Sequence, residues 1–328
     1  MKIVQLSEND IPEIENFLRT CEFVPIQQSP IWAKFQKTVG INSIQIGVRE
    51  ANKLIGFVQI FTKSLPLGLK WLHVPRGPLT NSTAVTELIF TEVEKIARVQ
   101  KAIFIHFDFQ KDTQFSYPKF RPAKETNYPK TTLVLDLRKS EDEILAAMKP
   151  KGRYNIRVAQ RHGVRIRKAG DSKSARIFFE LLRKTTARDN FHGHSKDFYV
   201  NFLKILNKNA CCFIAEIKGK PVAASIVTFF GDTATYYYGA SDYSFRNLMA
   251  PYAIQFAAIL TAKQRGCHFY DFLGIAPENT KNHPLAGVTS FKKKFGGKVI
   301  SYPISAKLIL RPGIFSIYQL FKKIRRQL

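Results

Sequence analysis

Cysteine is scarce in this chain: Cys21, Cys211, Cys212 and Cys267 are the four present in 328 residues, and none stands in a C-x-x-C spacing. So few cannot staple a chain of this length, and they read as reduced, mostly buried thiols of a cytosolic protein. Long apolar runs are missing too. Nowhere do ~18 uncharged apolar residues follow one another, which predicts no membrane-spanning helix. Met1 to Asp10 carries a single lysine and turns polar at Ser7, so no signal-peptide core can form there. The sequence has no G-x-x-x-x-G-K-[ST] phosphate loop, no G-x-G-x-x-G and no H-E-x-x-H. Acid is the remaining shortage: 25 Asp and Glu stand against 51 Lys and Arg, a formal charge of +26. Such an excess opposes compactness and usually accompanies a polyanionic partner, whether nucleic acid, anionic lipid or a phosphorylated substrate. A generally basic proteome with solvated lysines would give the same count.

What is present suffices for a folded interior: 45% hydrophobic residues, among them 27 Phe and 12 Tyr. The length exceeds the ~250 to 300 residues at which one core usually stops growing, which predicts two subdomains. Apolar spacing predicts helices over Ile11 to Cys21, with Asn9 or Asp10 as cap, over Pro30 to Thr38 and over Val85 to Gln100. Alternation predicts a hairpin of Ser43 to Arg49 with Leu54 to Lys63, and a strand at Ile103 to Phe109. The order recurs. Ser172 to Arg188 reads as helix, Cys211 to Ile217 and Val222 to Phe230 as a hairpin, Thr233 to Gly239 as strand, Pro251 to Arg265 as helix and Cys267 to Leu273 as strand. The repeated pattern predicts a duplicated α/β unit on mixed sheets, with a boundary near residue 132 after the Pro-containing loop Tyr117 to Pro129.

Three segments concentrate charge. Met148 to Lys168 holds eight basic residues and no acid. Lys149, Arg153, Arg157 and Arg161 recur every fourth residue, so a helix would fan them across one face toward an RNA backbone or a diphosphate, leaving Tyr154 and Val158 to pack inward. Ser290 to Gly297 runs SFKKKFGG, where the glycine pair permits close backbone approach or simply marks a turn. In the tail, Phe315, Tyr318, Leu320 and Phe321 precede Lys322, Lys323, Arg325 and Arg326. That combination suits either an anionic leaflet or a terminal helix docked on the body. His192 and His194 flank Gly193 without a cysteine or third ligand nearby, which predicts a polar loop and no metal site.

Taken in order, several stretches resemble the Fem family of tRNA-dependent peptidoglycan bridge-forming aminoacyltransferases. They are Gln28 to Lys37 (QSPIWAKFQK), Thr132 to Leu137 (TLVLDL), Lys151 to Arg157 (KGRYNIR), Tyr237 to Ser241 (YYGAS), Ala250 to Tyr252 (APY), Tyr270 to Ile275 (YDFLGI) and Phe291 to Gly297 (FKKKFGG). The resemblance implies an α/β (α+β) fold of two GNAT-like acyltransferase subdomains. Residues 1–132 with 303–328 would bind the acceptor, and 133–302 would bind aminoacyl-tRNA and carry catalysis. Acetyl-CoA-dependent GNAT enzymes usually hold the pyrophosphate on a glycine-containing loop, whereas Arg246 to Pro251 here has no glycine, which argues against acetyl-CoA as donor. Between Arg188 and Cys211 there is no room for the long helical-hairpin arm of some staphylococcal members, so the chain resembles the compact ones.

By residue matching, the resemblance implies a site. Lys292, directly after Phe291, would meet the oxyanion formed when a stem-peptide amine attacks the tRNA ester. Asp108 would orient that amine or accept its proton. Lys34 or Lys37, with Arg188, would clamp the acceptor's diphosphate, and Tyr238 would line its channel. Lys149, Lys151, Arg153, Arg157 and Arg161 would hold the tRNA. The ester is already activated, so no cofactor or metal is expected. The implied partners are aminoacyl-tRNA and either UDP-MurNAc-pentapeptide or lipid II, for a cytoplasmic monomer with peripheral contact at the inner membrane face. Two alternatives keep the composition: an N-acyltransferase for another envelope or protein acceptor, and a basic RNA-binding or membrane-binding adaptor without catalysis.

Overall fold

A computed structural model describes residues 1–110, 117, 119–123, 125–189, 193–278, 280 and 283–327 of the chain, with backbone alone at 325–327. In chain order the first elements are β1 (Lys2–Leu6), α1 (Ile11–Thr20), α2 (Pro30–Thr38), β2 (Ser43–Glu50), β3 (Lys53–Ser64), β4 (Lys70–Pro75), α3 (Thr83–Val99), β5 (Phe104–Asp108) and β6 (Phe120–Pro122). Next come β7 (Thr131–Asp136), α4 (Glu141–Ala147), α5 (Pro150–Arg161), β8 (Arg165–Ala169), α6 (Ser172–Asp189) and α7 (Lys196–Leu206). The hairpin β9 (Ala210–Ile217) and β10 (Lys220–Phe230) leads to β11 (Thr233–Ser241), α8 (Ala250–Gln264), β12 (Phe269–Gly274), α9 (Ala286–Lys292) and β13 (Lys298–Ser301). The chain ends with β14 (Ala306–Ile309) and α10 (Pro312–Gln327).

These elements form two compact units. Unit 1 comprises Met1–Cys21, Pro25–Lys130 and Tyr302–Leu328; unit 2 comprises Glu22–Val24 and Thr131–Ser301. Each is built on a mixed sheet of seven strands, ordered β1-β2-β3-β4-β5-β14-β6 in unit 1 and β13-β7-β12-β11-β10-β9-β8 in unit 2. In both, an antiparallel hairpin leads into one parallel pair, β4 with β5 and β11 with β12. A crossover helix, α3 or α8, joins the two strands of that pair, as a parallel connection requires.

The mixed α/β architecture is the one the periodicities predict. In unit 1, α3 presents Val85, Ile89, Phe90, Val93 and Ala97 to a core completed by Ile105 and Phe107 of β5. Alternation along β5 then sends Phe104, His106 and Asp108 to the other face. Unit 2 gathers Phe213, Val227, Ile254, Ala258, Tyr270, Phe272 and Phe295 into its own core.

Two local expectations are corrected. Asp10 does not cap α1 with its side chain; its carboxylate reaches back to the Ser7 amide at 2.8 Å, while the Ser7 hydroxyl accepts from Asn9, a capping box one turn earlier. Tyr154, expected inside, lies 57% exposed, and Arg161 sits over its ring at 5.8 Å. The burial pattern gives the reason. Gly152, Asn155, Ile156 and Ala159 form the inner face of α5, which places residue 154 outside.

That inner face fixes the turn that follows α9. The Lys149 amide donates to the Lys294 carbonyl at 3.0 Å, and a β-carbon on Gly152 would lie 2.3 Å from the same oxygen. Gly152 thus marks a backbone approach that no other residue permits. Gly152→Ala is therefore expected to destabilise the protein by about 2 kcal/mol in urea denaturation through overpacking. At an unconstrained helical position the same change would stabilise by up to ~1 kcal/mol.

Candidate active site

The segment carrying Lys292 is held from several sides. Its helix α9 is stapled to the end of β12 by Thr289, whose hydroxyl accepts from the Ala276 amide at 2.7 Å. Phe295 is fully buried and stacks on Tyr252, which also meets the Phe291 ring edge-on at 4.9 Å. Gly296 adopts a φ of +82°, and a β-carbon there would strike the Ala147 carbonyl at 2.6 Å.

Lys292 itself is 6% exposed, in contrast to the solvated role that three consecutive lysines suggest. Its Nζ donates to the Gly274 carbonyl at 2.7 Å and lies 5.6 Å from the centre of the Tyr236 ring, a cation–π contact. Burial pushes the ammonium down to about 8, with the Asp271 carboxylate pulling the other way. Asp271 also shapes the strand end. It accepts from the Thr132 hydroxyl and, at 2.7 Å, from the Leu273 amide, where β12 slips register against β7 and Leu273 takes a left-handed φ of 60°. That irregularity precedes the carbonyl that Lys292 grips. Beneath it, Tyr270 donates to Gln255 at 2.8 Å, and burial pushes the Tyr236 hydroxyl up to about 12.

In unit 1, Asp108 is 2% exposed. The parallel register of β4 and β5 sets His73 beside His106, with Asp108 two residues further on the same face. Asp108 accepts from His73 Nε2 at 2.8 Å, from His106 Nε2 at 3.1 Å and from the Ser305 hydroxyl at 2.6 Å. Burial alone would raise the Asp108 carboxyl, but the donors His106 and His73 outweigh it and hold the group well below the usual carboxylate range. A carboxylate so held is a weak proton acceptor. Neither His73 nor His106 stood out in the sequence; the signal was the alternation in His106-Phe107-Asp108, which puts two polar side chains on one strand face.

Lys34 and Lys37 are exposed on α2 and line a cavity of about 750 Å³, together with Ser7, Glu8, Glu15 and Asn42. In unit 2, Arg188 lies in the last turn of α6 and forks onto the Asp189 carboxylate with both bonds at 2.6 Å, its guanidinium 5.2 Å from the Tyr243 ring centre. That fork raises Arg188 and lowers Asp189. Tyr238 is half-buried, edge-on to Tyr199 at 5.2 Å and Phe202 at 5.5 Å. His194 stacks on Phe198 at 3.8 Å and burial lowers its imidazole; His192 lies outside the described residues. Among the described residues no cluster of His, Cys, Asp and Glu is arranged to hold a metal ion.

Of the five cations expected to hold the tRNA, Lys149, Lys151, Arg157 and Arg161 point to solvent. Arg153 does not. Its guanidinium turns back to the carbonyls of Leu145, Ala146 and Met148 at the end of α4, satisfying orphan acceptors there. No described helix is long and apolar enough to cross a membrane.

Comparison with known proteins agrees with this layout. A lipid II:glycine glycyltransferase of Staphylococcus epidermidis is 20% identical over 346 aligned positions, covering 81% of this chain and 83% of that protein. The crystal structure of FemX superimposes with a TM-score of 0.87 at 18% identity, over 97% of this chain and 99% of that one. A tandem GNAT protein from the clavulanic acid biosynthesis pathway gives a TM-score of 0.54 at 13% identity, over 93% and 97% of the two chains, and shows the same doubled acyltransferase fold. The FemAB family model matches residues 10–125, 115–221 and 218–323, most of the chain. With that coverage, and with a mixed seven-stranded sheet in each unit, the chain belongs to the FemAB family.

Proposed function

We propose that this chain is an aminoacyltransferase that takes an amino acid from aminoacyl-tRNA and adds it to the stem-peptide amine of a peptidoglycan precursor, UDP-MurNAc-pentapeptide or lipid II. Its family and its likeness to lipid II:glycine glycyltransferases support the reading. The observation that carries the chemistry is a buried ammonium, Lys292, fixed on a backbone carbonyl. The amine nitrogen bonds to the ester carbonyl carbon, whose oxygen becomes an oxyanion. When the tetrahedral adduct collapses, the ester C–O bond breaks and the ribose oxygen leaves with the proton shed by the amine. An ammonium has three donors, and Gly274 holds one in place, so Lys292 is oriented before the charge develops and need not reorganise. With its pKa near 8 it is still mostly charged at neutral pH.

Asp108 fits a positioning role in this scheme, because its histidine and serine donors hold it as an anion. Unit 1 would receive the acceptor, with Lys34 and Lys37 offering charge along their cavity. Arg188 would bind diphosphate and Tyr238 would line the acceptor channel. The outward cations Lys149, Lys151, Arg157 and Arg161 would follow the tRNA backbone. A lipid-linked precursor would bring the chain to the inner membrane face.

Mass spectrometry of a soluble precursor incubated with the protein and tRNA charged with mixed amino acids should reveal an added residue mass; an unchanged precursor, soluble or lipid-linked, refutes the proposal. Lys292→Ala should lower transfer by about 10²-fold or more while the fold survives, and near-normal turnover would remove Lys292 from the mechanism. Arg188→Ala should raise KM for the diphosphate-bearing acceptor with little change in kcat. Burying Lys292 also has a pH signature. Its folded pKa lies below the unfolded value of 10.5, so the unfolded chain binds the extra proton between pH 8 and 10.5 and stability rises with pH through that window. Relative to Lys292→Met, the wild type should therefore gain about 2 kcal/mol of unfolding free energy between pH ~7 and ~9.5.

A further inference from the structure

The proposed transfer makes no use of α10, whose two faces differ. On the inner side Phe315 and Tyr318 pack on Phe104 at 5.2 and 5.7 Å, and Phe104 stacks in turn on Trp71 at 5.2 Å. On the outer side Ile317, Leu320, Phe321 and Ile324 are 56%, 60%, 66% and 46% exposed. At 100° per residue these four fall within an arc of ~100°, a continuous apolar stripe. Charge around the stripe is mainly positive, although Lys322 pairs with the Glu125 carboxylate. Residues 302–328 contain six Lys and Arg and no acid, and Lys323 is exposed at the stripe's edge. At the helix start, Arg98, Lys119 and Arg121 line a cavity of about 470 Å³, and the carboxylate of Glu94 meets Arg98 at 2.7 Å and Lys119 at 3.1 Å.

We infer that the outward face of α10 docks on an anionic phospholipid bilayer, with the aliphatic and phenyl side chains among the acyl chains and the lysines at the headgroups. A second copy of the chain is disfavoured as occupant because it would set two positive surfaces against each other. An RNA backbone would answer the cations but leave the stripe in water. The docked helix would hold the chain beside a lipid-linked acceptor, and to that extent the inference rests on the proposed transfer.

Co-sedimentation of the full chain with vesicles of phosphatidylcholine alone, or enriched in phosphatidylglycerol, tests it. Binding is expected to the second kind and to weaken as salt rises. Leu320→Glu and Phe321→Glu, both at exposed positions, should each lower the vesicle partition coefficient by about tenfold or more. Both variants should keep the wild-type melting temperature and transfer to a soluble nucleotide-linked acceptor. Vesicle binding unchanged in the variants, or absent from the wild type at low salt, overturns the docking surface. A dimer seen in sedimentation velocity and lost in the variants assigns the stripe to a second copy and overturns it equally. Vesicle binding without transfer to any acceptor would retire the transferase reading alone, and transfer without vesicle binding would retire the docking surface alone.

Discussion

The hydrogen bond from the Lys292 ammonium to the Gly274 carbonyl forms where only 6% of the residue meets solvent, and a charge in such a place is unstable unless something fixed answers it. Much of unit 2 around it can be understood as supplying that answer. Asp271 ties down the Leu273 amide in its left-handed turn, the turn is followed by the Gly274 carbonyl, and Thr289 joins the next loop to the helix that bears the lysine. Behind the lysine, Gly152 lets α5 press against the Lys294 carbonyl, so the segment cannot retreat without moving a helix. The tilt of one side chain depends on backbone contacts far apart in sequence.

Unit 1 handles its buried charge differently. Asp108 has three donors around two oxygens, two of them imidazoles supplied by adjacent strands in parallel register. Burial opposes the Lys292 ammonium and leaves it within reach of neutral pH, whereas the donors around Asp108 overcome burial and fix the carboxylate. Burial thus sets the protonation of Lys292 closer to neutral pH than that of Asp108, whose fixed charge suits it to hold geometry.

Elements with a strong local signal were legible in the sequence. Pro30–Thr38 forms its predicted helix because Ser29 caps it and Trp32 and Phe35 mark one face. The hairpins announced themselves by alternation on both sides of a turn. The short strands Lys70–Pro75, Lys298–Ser301 and Ala306–Ile309 did not, since their pairing depends on neighbours distant in the chain. Helix Glu141–Ala147 is absent from the periodicities, although Ser140 and Glu143, which form its capping box, are a signal present in the letters. At the site, resemblance drew attention to Lys292 and Asp108, but neither burial was readable: Gly274 lies 18 residues from Lys292, and His73 lies 35 from Asp108. Arg153 stood in a regular basic stripe, yet the open end of the preceding helix claimed it.

If Arg188 serves the proposed diphosphate clamp, its fork with Asp189 would bear on selectivity among anions. A guanidinium that already holds a carboxylate in two short bonds gives little to a monovalent anion, since one negative charge merely replaces another and the incoming anion must shed its own water. Only a ligand with more charge than the neighbour it evicts gains by the exchange. In the proposed clamp, next-door competition of this kind would work as a threshold, passing over chloride or a lone carboxylate and yielding to linked phosphates.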